Sequence, residues 1–161
     1  MTKRGERSLL LRAIDQGFDH VAWHGPTLWG AIRGVTATQA AWRPGRGRHN
    51  IWELVLHTAY WKYAVRRRLV GGGHGTFPRT GSNFPALPGV LDQRHWRADV
   101  RLLKDQHRRL RSVVAALPAS ALGRRLGKTK WTGSETVHGI AMHDLYHAGQ
   151  IQLLKRLRTR G

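Results

Sequence analysis

The run DQRHWRADVRLLKDQHRRLRSVVAAL, residues 92–117, decides the fold. Trp96, Val100, Leu103, His107, Leu110, Val114 and Leu117 recur in it at steps that alternate between four and three. Steps of that kind bring side chains to one stripe of an α-helix, the seam by which a helix packs in a bundle. Pro118 closes the segment, because its ring clashes with a continuing helix. Outward from this helix the same period dominates and strand alternation is nearly absent.

Upstream, a first helical segment is expected from about Glu6 to about Asp19, interrupted by Gly25-Pro26. Pro26 suits the first turn of a continuation to about Arg33. Residues 36–49, with Pro44 and two glycines, and further glycines nearby, read as loop. Asn50 is a good N-cap for a second long helix to about Val70. Residues 71–91 are rich in Gly and Pro and too long for a simple connection, which points to a crossover or lid, with Asn83-Phe84-Pro85 at its centre. Downstream, Thr132 or Ser134 caps a last helix to about Arg158. Four long helices with one long connection predict an all-α protein: a four-helix bundle forming a single domain over residues 1–161.

Composition narrows the chemistry. The 161 residues are 40% hydrophobic and include seven Trp, so the chain can build a core. It lacks cysteine, which excludes disulfides, zinc ribbons and a thiol nucleophile of its own. No run approaches the roughly 18 apolar residues of a membrane span, and the start lacks a signal peptide's apolar core, so a cytoplasmic protein without membrane partners is expected. Lys and Arg number 28 against 9 acidic residues, a formal charge of +19. That charge invites a nucleic-acid reading. The basic residues are spread over the chain, however, with clusters at Arg66–Arg68, Arg108–Arg111, Arg124-Arg125 and Lys155–Arg160 near helix ends and outer faces. A solvated helix surface explains them as well, and specific nucleic-acid binding is not expected.

The histidines carry the sharper signal. On the last helix Val137, Ile140, His143, Asp144, His147, Gln150, Ile151 and Leu154 share one face, so His143 and His147 stand one turn apart within the apolar stripe. That is the spacing by which a helix offers two imidazoles to one metal ion. On the second helix His57 shares the inward face with Glu53, Trp61 and Ala64. Spacing alone leaves two readings open: a divalent-metal site, or three separately satisfied core histidines. His20 and His24 are also four apart but lie beside the helix-breaking Gly25-Pro26. His107 falls in a seam, where a buried, hydrogen-bonded histidine is the commoner case. His49, His74 and His95 read as loop or surface residues, and His138 points away from the stripe. His143-Asp-Leu-Tyr-His147 is a poor metalloprotease match, with Asp for Glu and no further ligand downstream. Gly123–Thr129 has three residues between its glycines where a phosphate loop needs four.

The run HGIAMHDLYHAGQI (138–151) strongly resembles the C-terminal signature of the DinB-like superfamily, and NIWELVLHTAYW (50–61) is similar to its other signature. AWHGP (22–26) and AWRP (41–44) are similar to pieces of one subgroup. The resemblance implies a four-helix bundle in which His57, His143 and His147 bind a divalent ion, often zinc or nickel, and it suggests a homodimer. Relatives include S-transferases using low-molecular-weight thiols such as bacillithiol or mycothiol, and a thiol-dependent isomerase. Three neutral imidazoles leave the ion its double charge and an open position, which makes thiolate or hydroxide available near neutral pH. The expectation is therefore a metal-dependent enzyme acting on a small-molecule substrate, transferase-like or hydrolase-like. Glu53 and Gln150 are candidates to orient ligands or shuttle protons, with ordinary capping or packing as the alternative. Trp61 and Tyr146 are candidate pocket walls. The alternatives in function are a nucleic-acid-associated protein with a structural metal, and a metal-binding bundle without catalysis.

Overall fold

The computed structural model describes residues 3–72 and 75–159. Among them lie four long helices, α1 (Lys3–Phe18), α4 (Ile51–Leu69), α5 (Gln93–Ala116) and α7 (Gly133–Arg158), and three short ones, α2 (Leu28–Ile32), α3 (Ala37–Ala41) and α6 (Ala119–Leu122). The described residues contain no strand, only an isolated bridge between Arg125 and Thr132. None of their helices is long and apolar enough to cross a membrane.

The helix starts follow from local chemistry. Asn50, Asp92 and Thr132 each accept the N3 backbone N–H of the helix they cap. Thr132, rather than Ser134, is therefore the cap of α7, and Glu135 closes a capping box with it. Three boundaries differ from the sequence reading. Pro26 precedes Thr27, the N-cap of α2, instead of occupying the helix's first turn. Residues 36–49 are not all loop: Thr36 and Gln39 form a capping box that nucleates α3. A third short helix, α6, follows Pro118.

Around the bundle the long helices follow the order α1, α5, α4, α7, each packed on the next, and α7 closes the ring on α1. Along α5 the buried residues are Trp96, Asp99, Leu103, Gln106, His107, Leu110 and Val114, so the expected seam is the inward face, with Val100 only half-buried. The core divides into two apolar clusters. One gathers Trp52, Leu56, Trp96, Leu103 and Ile151; the other gathers Ile14, Leu110, Val114, Leu122 and Val137. Gly17 lets α1 close on α7, since a Cβ there would stand 2.9 Å from the Ala141 carbonyl oxygen and 3.6 Å from the Asp144 Cβ. Backbone cannot rotate out of the way as a side chain can. Gly17→Ala is expected to lower stability by about 1–3 kcal/mol, read as a lower denaturant midpoint at unchanged slope.

His107 is buried, as expected, but it lies flat on Phe18, with ring centroids 3.7 Å apart, and its Nδ1 has no partner among the described residues. Burial, reinforced by the charges of Lys62 and Arg111, lowers its pKa to about 2. The unfolded chain, with the ordinary 6.5, then binds the proton that the fold refuses. Stability from this residue is complete above about pH 6.5 and falls as pH drops, by up to roughly 1.4 kcal/mol per unit. Between pH 7 and 4, His107→Phe is expected to lose about 3 kcal/mol less than the parent, measured by denaturant melts at both pH values. Equal losses in the two proteins would show that His107 titrates normally.

Candidate metal centre

α4 supplies His57 from its inward face, and α7 supplies His143 and His147 one turn apart. Because α4 and α7 are neighbours, the three rings meet. The Nε2 atoms of His57 and His143 stand 3.0 Å apart, and those of His147 and His143 3.1 Å apart. His57 and His147 are buried and His143 half-buried. A ligand atom from each lies within 4.8 Å of the others, so the group could hold a metal ion.

The outer nitrogens fix which atom faces inward. His57 donates from Nδ1 to the Asn83 carbonyl at 2.7 Å, and His147 donates from Nδ1 to the Gln150 Oε1 at 2.7 Å. Each ring has therefore placed its one proton outward and turns a bare Nε2 lone pair to the centre. His143 Nδ1 is buried without a partner among the described residues. Packing holds that ring instead, with His147 at 4.4 Å and the Trp61 edge at 6.4 Å between centroids. A hydrogen on His143 Nε2 can point fully at only one of its two neighbours, whereas a cation satisfies all three lone pairs. Nitrogens that share one zinc-like ion tetrahedrally at ~2.0–2.1 Å stand about 3.3 Å apart, close to the separations here. The donor set fits the ion.

Electrostatics also keeps the rings neutral. Desolvation, then the neighbouring His147 and His57, lowers the His143 pKa to about 3. Desolvation and His57 lower His147 to about 4, against the opposing hydrogen bond that it donates to Gln150. Burial likewise pulls His57 down. Unprotonated imidazole is the form that binds a metal.

Residues 71–91 do not hang over this centre as a free lid. Arg79 bonds through two nitrogens to the buried Asp99 of α5, which also accepts the Trp52 Nε1 at 2.8 Å. Asn83, in the left-handed region at φ 62°, turns its carbonyl to His57 and its side-chain oxygen to Trp61 Nε1 at 2.9 Å. Phe84 stacks on His57 at 4.2 Å and on His49 at 3.9 Å. The segment is a strap that orients the His57 ring. A backbone carbonyl carries no sequence signal, and Asn83 stands out in the sequence only as part of the centre of the Gly- and Pro-rich stretch.

The other candidate residues divide. Gln150 holds His147 and donates to the Tyr146 hydroxyl at 3.1 Å. Tyr146, 64% exposed, lines a cleft of about 740 Å³ that opens on the three histidines. Trp61 stands beside His57 and His143 but outside that cleft's lining. Glu53 is spent as a cap: its carboxylate accepts the Asn50 N–H, binds Arg43 at 2.6 and 2.8 Å, and meets His49 at 3.1 Å. Burial raises its pKa, but Arg43 and the Asn50 N–H outweigh this and hold it below the ordinary value. His49 is exposed yet committed to Glu53 and Phe84. His20, His24 and His138 are exposed, His95 is half-buried beside Asp92, and His74 lies outside the described residues.

No curated protein and no solved structure matches this sequence. A family model described as the DinB superfamily matches residues 20–151, a span that contains His57, His143 and His147 and the strap. The chain belongs to the DinB superfamily.

Proposed function

We propose that this protein is a metal-dependent enzyme that activates a thiol or a water against a small-molecule substrate. The observation that carries the reading is the convergence of the Nε2 atoms of His57, His143 and His147 at a cleft large enough for a small molecule. A divalent ion bound there supplies Lewis acidity and lowers the pKa of a thiol or water beside it. Imidazole donors suit zinc or nickel. The chain's own part is positional. Asn83 and Gln150 hold two rings at fixed tautomer, the hydrophobic surround keeps all three imidazoles neutral, and Tyr146 places a hydroxyl at the cleft wall. Since the sequence has no cysteine, a thiol nucleophile comes from outside. A homodimer belongs to the same proposal: Trp23, 101% exposed, is a side chain of the kind that anchors in a partner's pocket. The test is turnover of chromogenic electrophiles and esters by zinc- or nickel-loaded protein, with and without low-molecular-weight thiols. His57→Ala should abolish it. Activity that survives this substitution would refute the assignment.

The basic surface supports a second reading, contact with a polyanion. Arg67, Arg68 and Lys128 line a groove of about 470 Å³ in which no carboxylate takes part. Salt-sensitive DNA binding that persists in His57→Ala and drops in Arg67→Gln/Arg68→Gln would favour it.

A further inference from the structure

The cleft beside the histidines is uneven in its chemistry. Much of its lining is apolar, with Phe84 and with Leu153, Leu154 and Leu157 of α7. From His147 to Leu157 is about 15 Å along that helix, so the lining extends well past the metal-facing nitrogens. The loop before α4 adds Arg48 to that lining. Arg43, on the same loop, is neutralised by both oxygens of Glu53. His49 is held by Glu53 and lies flat on Phe84, with planes 2° apart. Arg48 has no carboxylate partner among the described residues, and no Asp or Glu lines the cleft. The rings of His57, Phe84 and His49 form a continuous stack from the metal-facing group to the residue next to Arg48. An arginine without a carboxylate partner, in a largely apolar cleft that the three histidines also line, selects ligands that are apolar over most of their length and anionic at one point.

We infer that the cleft takes a carboxylate-bearing substrate, with the carboxylate on Arg48 and the apolar body along Phe84, Leu153 and Leu157. The inference rests on the enzymatic reading only for the word substrate; the binding preference stands on the cleft itself. Arg48 acts as a specificity residue that fixes which end of the molecule lies away from the histidines.

The probe is octanoate, titrated calorimetrically into metal-free protein, with octan-1-ol and octylammonium as controls. Octanoate should bind and octylammonium should not. Arg48→Gln should weaken octanoate about tenfold and leave octan-1-ol within about twofold, because only the carboxylate loses a charged partner. Leu153→Asn should weaken octanoate and octan-1-ol alike. Octanoate affinity unchanged in Arg48→Gln overturns the inference, as does octanoate binding that appears only after metal loading, which would make the ion the anchor. Metal-dependent turnover without Arg48-dependent binding overturns this inference alone. Arg48-dependent binding without turnover supports it and contradicts the enzymatic reading.

Discussion

Replacing Lys62 by methionine is expected to lower stability by about 3–5 kcal/mol, the largest loss from any single side chain outside the apolar clusters. Lys62 and Asp144 are an ion pair between α4 and α7, each 1% exposed at the side chain, with Nζ 2.5 Å from Oδ2. The ammonium also lies 5.1 Å from the centroid of the Phe18 ring, and the second carboxylate oxygen of Asp144 has no partner among the described residues. Burial pushes the Asp144 carboxyl up, and the attraction of Lys62 opposes that shift. Without Lys62 the carboxyl must either stay charged in a dry core or take a proton at a cost. The double variant Lys62→Met/Asp144→Leu removes both charges and should recover most of the loss. Urea melts of the two variants test this directly: a loss under about 1 kcal/mol in the single variant, or no recovery in the double, would show that the core solvates the charge by other means. Asp144 follows His143 in the chain, and the pair ties together the two helices that carry all three metal-facing histidines. The double variant therefore has a second use, since stability regained with weaker metal binding would assign the pair to positioning.

His143→Ala is expected to reduce affinity for zinc or nickel at least ~100-fold without unfolding the chain. Its Nε2 is the shared neighbour of the other two, so its removal leaves two donors on different helices and opens the centre to water. Gln150→Leu should cost less, about tenfold, because it removes the hydrogen bond that fixes the His147 tautomer but no donor to the ion. The ratio of the two losses, measured by competition with a chromophoric chelator, separates donors from the residues that orient them. Equal affinity in His143→Ala and the parent would place the ion elsewhere.

Much of this was legible in the sequence because it depends on periodicity. The α5 stripe, the Asn50 cap and the shared face of His143 and His147 are properties of a single helix, and the structure reproduces them. The meeting of α4 with α7 is not local, and only the family resemblance supplied it. Side chains whose role depends on a partner far along the chain gave no signal. Lys62 reads as one more basic residue until Asp144 is found 82 residues on, and Arg79 as a loop cation until Asp99 is seen beneath it. Glu53 carried two readings, orienting a ligand or capping, and it caps α4. Its spacing from His57 suggested a place at the centre, while its spacing from Asn50, three residues, is the signature of a capping box. The short helix α3 escaped because the glycines and Pro44 after it weighed more in the reading than its own cap.

The most direct test of the metal centre is elemental analysis of untagged protein, purified without a nickel column, beside His143→Ala. The expected result is about one zinc, nickel or other divalent ion per parent chain and none in the variant. A folded parent protein that carries no ion, and takes up none when zinc or nickel is added, would contradict it.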